Sequence, residues 1–254
     1  MTIAIAVSTS EGLVLAADSR TTRWVKTDNA RWPEVVTDHA RKVFALSRRT
    51  GGVTHGRSHM NRQTIASLAD RFKWTRSNDA AEDISAVVEE FAEYLRRIGK
   101  ANGTETPETG PDEMTGFLIG GYSHDGVGKL YELRLPEAKI QALSTTEAPN
   151  YHWRGQGEAI SRLMKGVDSR VDRSRLDPET TEAIAGLEYA VRLRHMSLRD
   201  AIDFARFLGE IAIGIDRFSS GTVRDPQAHQ FVGGHLTIAT VTLEGFHCLQ
   251  PPTP

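Results

Sequence analysis

MTIAIAVSTSEGLVLAADSR, residues 1–20, decides how this chain reads. Thr2 directly follows Met1. Ile3–Val7 and Leu13–Ala17 are apolar runs on either side of Ser10-Glu11-Gly12, which predicts two strands joined as a hairpin. The second strand runs out in Asp18-Ser19-Arg20. With Met1 removed, Thr2 carries a hydroxyl nucleophile and a free α-amine on one residue, and such an amine is a known activator of a threonine hydroxyl.

Bulk composition narrows the alternatives. The chain has 254 residues and is 39 % hydrophobic, enough for one substantial core, so a single domain over residues 1–249 is expected. Lys and Arg number 31 against 33 Asp and Glu, a net charge of −2 that gives no electrostatic case for a nucleic acid or an anionic membrane. One cysteine, Cys248, allows neither an intrachain disulfide nor a Cys-rich zinc site. The opening lacks the basic and apolar regions of a signal peptide, and no apolar run nears the roughly 18 residues of a membrane span. A soluble cytoplasmic protein is the expectation.

Further strands are expected at Val43–Leu46 and Val53–His55, around a Thr50-Gly51-Gly52 turn. Others follow at Gly116–Tyr122, Lys129–Leu135 and Ile140–Ser144, with a last hairpin of Leu236–Leu243 and Phe246–Leu249. Helices are predicted over Met60–Phe72 and Ala80–Ile98, the second amphipathic through Ile84, Val87, Val88, Phe91, Leu95 and Ile98, with Gly99 as its cap. Pro178 starts a helix to about Arg194, and Ser197, with Asp200 three residues on, caps another through Arg217. Residues 101–114 read as a mobile polar loop and residues 250–254 as a disordered tail. No repeat is present. This order supports α+β with two antiparallel sheets.

The strand–turn–strand ending in AADSR resembles the opening of proteasome β-subunits and their bacterial relatives, HslV-type and Anbu-type. In those families an acid ends the second strand, a lysine sits on the third, and fourteen residues later a glycine N–H helps form the oxyanion hole. Asp18, Lys42 and Gly56 match those places, Gly56 with no gap. Residues 116–133 (GFLIGGYSHDGVGKLYEL) resemble the family's Gly-Gly, turn and Leu-Tyr strand pair. The resemblance implies a four-layer αββα sandwich of the N-terminal-nucleophile hydrolase type, with the two sheets between helix layers. It implies a threonine-type peptidase working through an acyl-enzyme on Thr2, with no cofactor. It places Thr21, Thr54, His55 and Ser58 at the substrate.

Physical chemistry assigns the roles. An α-amine titrates near ~7.7–8, so it is available as a base for the Thr2 hydroxyl at neutral pH. A buried Lys42 ammonium favours an electron-rich Thr2 oxygen and needs a counter-charge, for which Asp18 is the obvious candidate. Gly56 lets a substrate carbonyl approach its N–H. Ser19 and Arg20 are expected to hold the turn beneath the site.

Other parts depart from the family pattern. Its Gly-Ser-Gly corresponds to Gly155-Gln156-Gly157, which lacks the serine hydroxyl. Its aspartate after the long helix is assigned to Asp216, with Asp225 as competitor, and the stretch before Val232-Gly233-Gly234 resembles Anbu-type proteins. Asp18 and Lys42 stand 24 residues apart, longer than in typical members. The extra stretch brings Trp24 and Trp32 near the expected pocket mouth, where packing or an intersubunit contact is the favoured role. His55, His59, His229 and His235 have no metal-binding spacing, and Gly120-Gly121 is no nucleotide loop. Trp24, Trp32, Phe204, Phe207 and Leu208 are candidate surface for a homo-oligomer of at least six chains. An ATP-dependent unfoldase is a partner that the resemblance admits. Two alternatives stay open: a small-molecule amidase or acyltransferase on the same scaffold, and a noncatalytic assembly subunit.

Overall fold

A computed structural model describes residues 2–26, 31–76, 83–100, 114–219 and 231–249. The chain opens with the hairpin β1 (Ile3–Thr9) and β2 (Gly12–Asp18), paired antiparallel from Ala4↔Ala17 to Thr9↔Gly12. There follow β3 (Thr21–Lys26), β4 (Arg31–Thr37), β5 (Val43–Ala45), β6 (Thr50–Gly56), β7 (His59–Met60) and β8 (Gln63–Thr64). Helices α1 (Ile65–Thr75) and α2 (Ile84–Lys100) come next. Then come β9 (Thr115–Tyr122), β10 (Gly128–Leu135), β11 (Lys139–Thr145) and β12 (Tyr151–Gly155). The chain continues through α3 (Glu158–Lys165), α4 (Pro178–Ala185), α5 (Leu198–Phe218), β13 (Leu236–Val241) and β14 (Phe246–Leu249).

Two five-stranded antiparallel sheets form the body, in the orders β12-β1-β2-β13-β14 and β11-β10-β9-β6-β5. Three buried clusters organise them. Strand alternation in β1 sends Ile3, Ile5 and Val7 to a cluster with Ile160 and Met164 of α3 and Ala205 and Leu208 of α5. Ala4 and Ala6, on the opposite face, join Leu13, Val53, Leu118 and Leu130 in a cluster shared by the two sheets. A third cluster packs Phe44, Phe117 and Leu133 of the second sheet against Leu68 and Phe72 of α1 and Phe91 and Leu95 of α2. Phe91 and Phe117 meet edge to face at 5.3 Å. On the sheet-to-sheet face the alanines of β1 lie among leucines and valines of the neighbouring strands, while the isoleucines of β1 face the helices.

Several expected boundaries move. Gly51 and Gly52 are inside β6 rather than in a turn, and Gly51 leaves room for the Phe246 ring, which a Cβ there would approach to 2.3 Å. α1 begins at Ile65, not Met60: the short β7–β8 hairpin comes first, turning through Asn61 and Arg62 at positive φ, and Thr64 caps the helix by accepting from Ser67 N–H. α2 runs through Gly99 to Lys100, so Gly99 does not cap it. The helix from Pro178 stops at Ala185, and only a 3-10 turn, Leu193–His195, follows. β12 and α3 lie where no element was expected. Ser197 and Asp200 do form a reciprocal capping box. Residues 101–113 and 250–254, expected to be a loop and a tail, lie outside the described residues.

The long separation of Asp18 from Lys42 has a structural cause. β3 and β4 form a two-stranded ribbon of their own. Its root is locked where Arg20 donates to both Asp38 carboxylate oxygens, at 2.7 and 2.9 Å, and Ala40 N–H donates to Ser19 O at 2.8 Å. The chain leaves the body at Arg20 and returns at Ala40, in place to continue to Lys42.

Candidate active site

The end of the β1–β2 hairpin brings the sequence-predicted residues together. Thr2 is buried, as are Asp18 and Lys42. Asp18 Oδ1 accepts from Lys42 Nζ at 2.8 Å and from Ile3 N–H at 3.0 Å. Its Oδ2 accepts from Gly233 N–H at 3.1 Å and Arg20 N–H at 3.2 Å. Lys42 Nζ also donates to Arg20 O at 2.5 Å. Burial pushes the Lys42 ammonium below the ordinary lysine range, against the pull of Asp18. Burial likewise pushes the Asp18 carboxyl up, against Lys42 and the N–H groups of Gly233 and Ile3.

A cavity of about 240 Å³ opens beside this pair. Thr2, Lys42 and Gly56 line it, together with Thr21, Thr54, His55 and Ser58. Sequence reasoning missed Thr22 and Arg57, which also line it, and did not place His59 there. Gly56 has φ +82°, and a Cβ there would fall 1.8 Å from Met114 O, so only glycine fits. Trp32 is exposed on the ribbon and is not part of the cavity wall, while the Trp24 side chain lies outside what is described.

The Thr2 backbone is held from two sides. Its neighbour Ile3 donates to Asp18, and Thr2 O accepts from Gln156 N–H at 2.9 Å. Gln156 therefore meets Thr2 through its backbone, where the serine position of the family pattern was expected to act through a side chain. Gly155, at φ +86°, allows this: a Cβ there would stand 1.8 Å from Thr2 O.

Asp216 is not part of the cavity wall. It accepts from Val232 N–H at 2.8 Å, and so anchors the segment that delivers Gly233 N–H to Asp18. Burial pushes its carboxyl up. Ser19 and Arg20 do hold the turn: Gly233 O accepts from both backbone N–H groups, and Ser19 Oγ accepts from His235 N–H at 2.9 Å. Asp225, the competitor for Asp216, and His229 lie outside the described residues. No group of three or more His, Cys, Asp or Glu is placed to hold a metal among the described residues, and no described helix is long and apolar enough to cross a membrane.

No protein-family profile matches the sequence, and no curated protein matches it. Solved structures do. The helical assembly of the Anbu complex from Pseudomonas aeruginosa aligns with TM-score 0.60 at 15 % identity, over 99 % of this chain and 88 % of that one. The chain has the Anbu fold. An Anbu Gly-1 mutant from Hyphomicrobium sp. strain MC1 aligns at 0.59 and 12 % identity, over 98 % and 85 % of the two chains. Anbu from Yersinia bercovieri, described as an ancestral beta-subunit, aligns at 0.56 and 14 %, over 98 % and 88 %. At these identities the Anbu likeness concerns the fold, and the site has to be argued from its own geometry.

Two partly buried histidines, His55 and His152, give the molecule an acid response. Burial pushes His55 and His152 down to about 4. The unfolded chain, with histidines near 6.5, binds more protons between those values, so stability is full above pH 6.5 and falls as pH drops towards 4. His55 contributes on the order of 3 kcal/mol to that loss, and the more exposed His152 less, because solvent screens its charge. Urea midpoints should fall between pH 7 and pH 4, and less steeply in His152→Gln. A midpoint that stays level across this range contradicts the assignment.

Proposed function

We propose that the chain is an N-terminal-nucleophile amide hydrolase, a threonine-type peptidase, acting through Thr2 once Met1 is removed. The observation that carries this reading is the buried Lys42–Asp18 pair, 2.8 Å apart, whose Lys42 lines the same cavity as Thr2 and Gly56. The three buried clusters support the finer fold reading, helix layers outside two face-to-face sheets.

The chemistry runs in two halves. Thr2 Oγ1 attacks the substrate carbonyl carbon while its proton passes to the Thr2 α-amine. The carbonyl oxygen becomes an oxyanion facing Gly56 N–H. Collapse breaks the C–N bond, and the leaving amine takes the proton from the α-ammonium. The acyl group is then an ester of Thr2. Water attacks it, gives a proton to the same amine, and releases the acid as Thr2 recovers its hydroxyl. Lys42 lowers the cost of negative charge at Oγ1 and disfavours a charged α-amine next to it. Asp18 keeps Lys42 charged and in place.

Thr2→Ala should abolish hydrolysis of a fluorogenic peptidyl-coumarin amide with the melting temperature preserved. Lys42→Ala should cost at least about 2 kcal/mol of transition-state stabilisation, and Lys42→Arg nearly as much, because a planar guanidinium does not replace a compact ammonium. Near-wild-type kcat/KM in Thr2→Ala or Lys42→Arg contradicts the mechanism.

Self-association belongs to the same proposal. Phe207, Ile215 and Phe218 of α5 and Trp32, Val35 and Val36 of the ribbon are exposed apolar side chains. Phe204, expected at the surface, packs on Tyr151 at 5.3 Å, and Leu208 is fully buried. The Pseudomonas aeruginosa Anbu complex is a helical assembly. A homo-oligomer of six or more chains is the expected state, and light scattering reads it: a stable mass near 28.0 kDa contradicts it. The peptide or amide substrate and an ATP-dependent unfoldase are the other proposed partners.

A further inference from the structure

The layer between the two sheets changes character towards the site. Near the middle it is apolar, with Ala6, Leu130 and Val53. Strand alternation puts Glu132 on the face of Leu130, His55 on the face of Val53, and Arg154 opposite Trp153, whose ring packs on the α3–α5 side. Polar residues, Glu132, His55 and Arg154 among them, therefore replace apolar ones in the inter-sheet layer towards Thr2.

Glu132 is 1 % exposed and holds two guanidinium groups. Arg154 donates to its carboxylate through Nε and Nη2, both at 2.6 Å. Arg134 donates through Nε at 2.8 Å and Nη2 at 2.9 Å. Burial acts to raise the Glu132 carboxyl, but Arg154 and Arg134 outweigh it and hold the group at about 2.

The two arginines differ in what they are attached to. Arg134 is on β10, the same strand as Glu132, and its side chain is 42 % exposed. Arg154 is on β12, an edge strand of the other sheet, one residue before Gly155 and two before Gln156. Gln156 N–H is the group that holds Thr2 O. The Glu132–Arg154 fork is thus a tie from one sheet to the end of β12 that clamps the nucleophile residue. An ion triad built around one buried carboxylate and two partly exposed guanidiniums adds little to net stability, so its contribution is sought in geometry.

We infer that Arg154, fixed by Glu132, is a positioning residue that sets Thr2 for attack through Gly155 and Gln156. The inference rests on the proposed role of Thr2 for its kinetic consequence, and on the hydrogen bond to Thr2 O for its structural one. Two single variants separate it from a general effect on folding: Arg154→Met and Arg134→Met each remove one fork from the same carboxylate, but only the first cuts the tie to β12.

The test measures labelling of Thr2 by a peptide epoxyketone and amide exchange at Gln156. In Arg154→Met the maximal labelling rate should fall at least tenfold, with the half-saturating probe concentration within twofold of wild type. Gln156 exchange should accelerate at least tenfold. In Arg134→Met both rates should change less than threefold. If Arg154→Met does not fold, the double variant Glu132→Met, Arg154→Met, which removes the buried carboxylate together with the fork and leaves only the partly exposed Arg134 without its partner, takes its place with the same expectation. Equal effects of the two arginines, or wild-type rates in a folded Arg154 variant, overturn the inference. Absence of labelling in the wild type overturns the role of Thr2, and Gln156 exchange then still decides whether Arg154 holds the clamp.

Discussion

The buried ion pair between Asp18 and Lys42 is the constraint on which the rest of the site depends. Two charges this deep are tolerated only when their remaining hydrogen-bonding capacity is met. Asp18 meets it through the backbone N–H groups of Ile3, Arg20 and Gly233, and Lys42 through Arg20 O. Those partners come from the start of β1, the root of the ribbon and the segment before β13. One carboxylate thus joins three distant pieces of chain at the end of the first hairpin. Breaking the pair leaves a buried charge unpaired, which typically costs 3–5 kcal/mol or so.

The surrounding structure supplies what that pair needs. The ribbon lets the chain leave and return with Lys42 in register, and the Arg20–Asp38 fork closes its root. Asp216 on α5 holds Val232, and through it Gly233. Glu132 and Arg154 tie β12 from the opposite side, so that Thr2 is approached by Asp18 through Ile3 and by Gln156 directly. Three glycines make the close approaches possible: Gly56 against Met114 O, Gly155 against Thr2 O, and Gly233 against the Arg20 guanidinium. These are places where a side chain would push a strand away from the site.

Much of this was legible in the sequence, for identifiable reasons. IAIAV and LVLAA read as strands because both faces are buried: Ile3, Ile5, Val7, Val14 and Ala16 face the helices, and Ala4, Ala6, Leu13, Leu15 and Ala17 face the other sheet. Lys42 and Gly56 were findable because β5 and β6 form one hairpin, which keeps their spacing fixed. The ribbon was not legible: TTRWVK and RWPEVVT carry mixed polarity and a proline. β12, YHWRG, alternates Tyr151 and Trp153 with His152 and Arg154, but over only five residues, too short a run to stand out as a strand. The Glu132–Arg154 fork joins residues 22 apart on different sheets, which no local pattern encodes. Its one trace is a glutamate at an inward position of GKLYELRL, where a buried charge demands a partner. Asp216 was found by position, but its contact with Val232 rather than with the cavity required coordinates.

A crystal structure of the protein after reaction with a peptide epoxyketone tests the central claim most directly. The reagent closes a ring only when a hydroxyl and an amine stand on one residue. The account predicts loss of Met1, a ring bonded to both Oγ1 and the α-nitrogen of Thr2, and an intact Asp18–Lys42 pair beside it. Met1 still attached to Thr2, or the reagent bonded to another nucleophile such as Ser58, would contradict it.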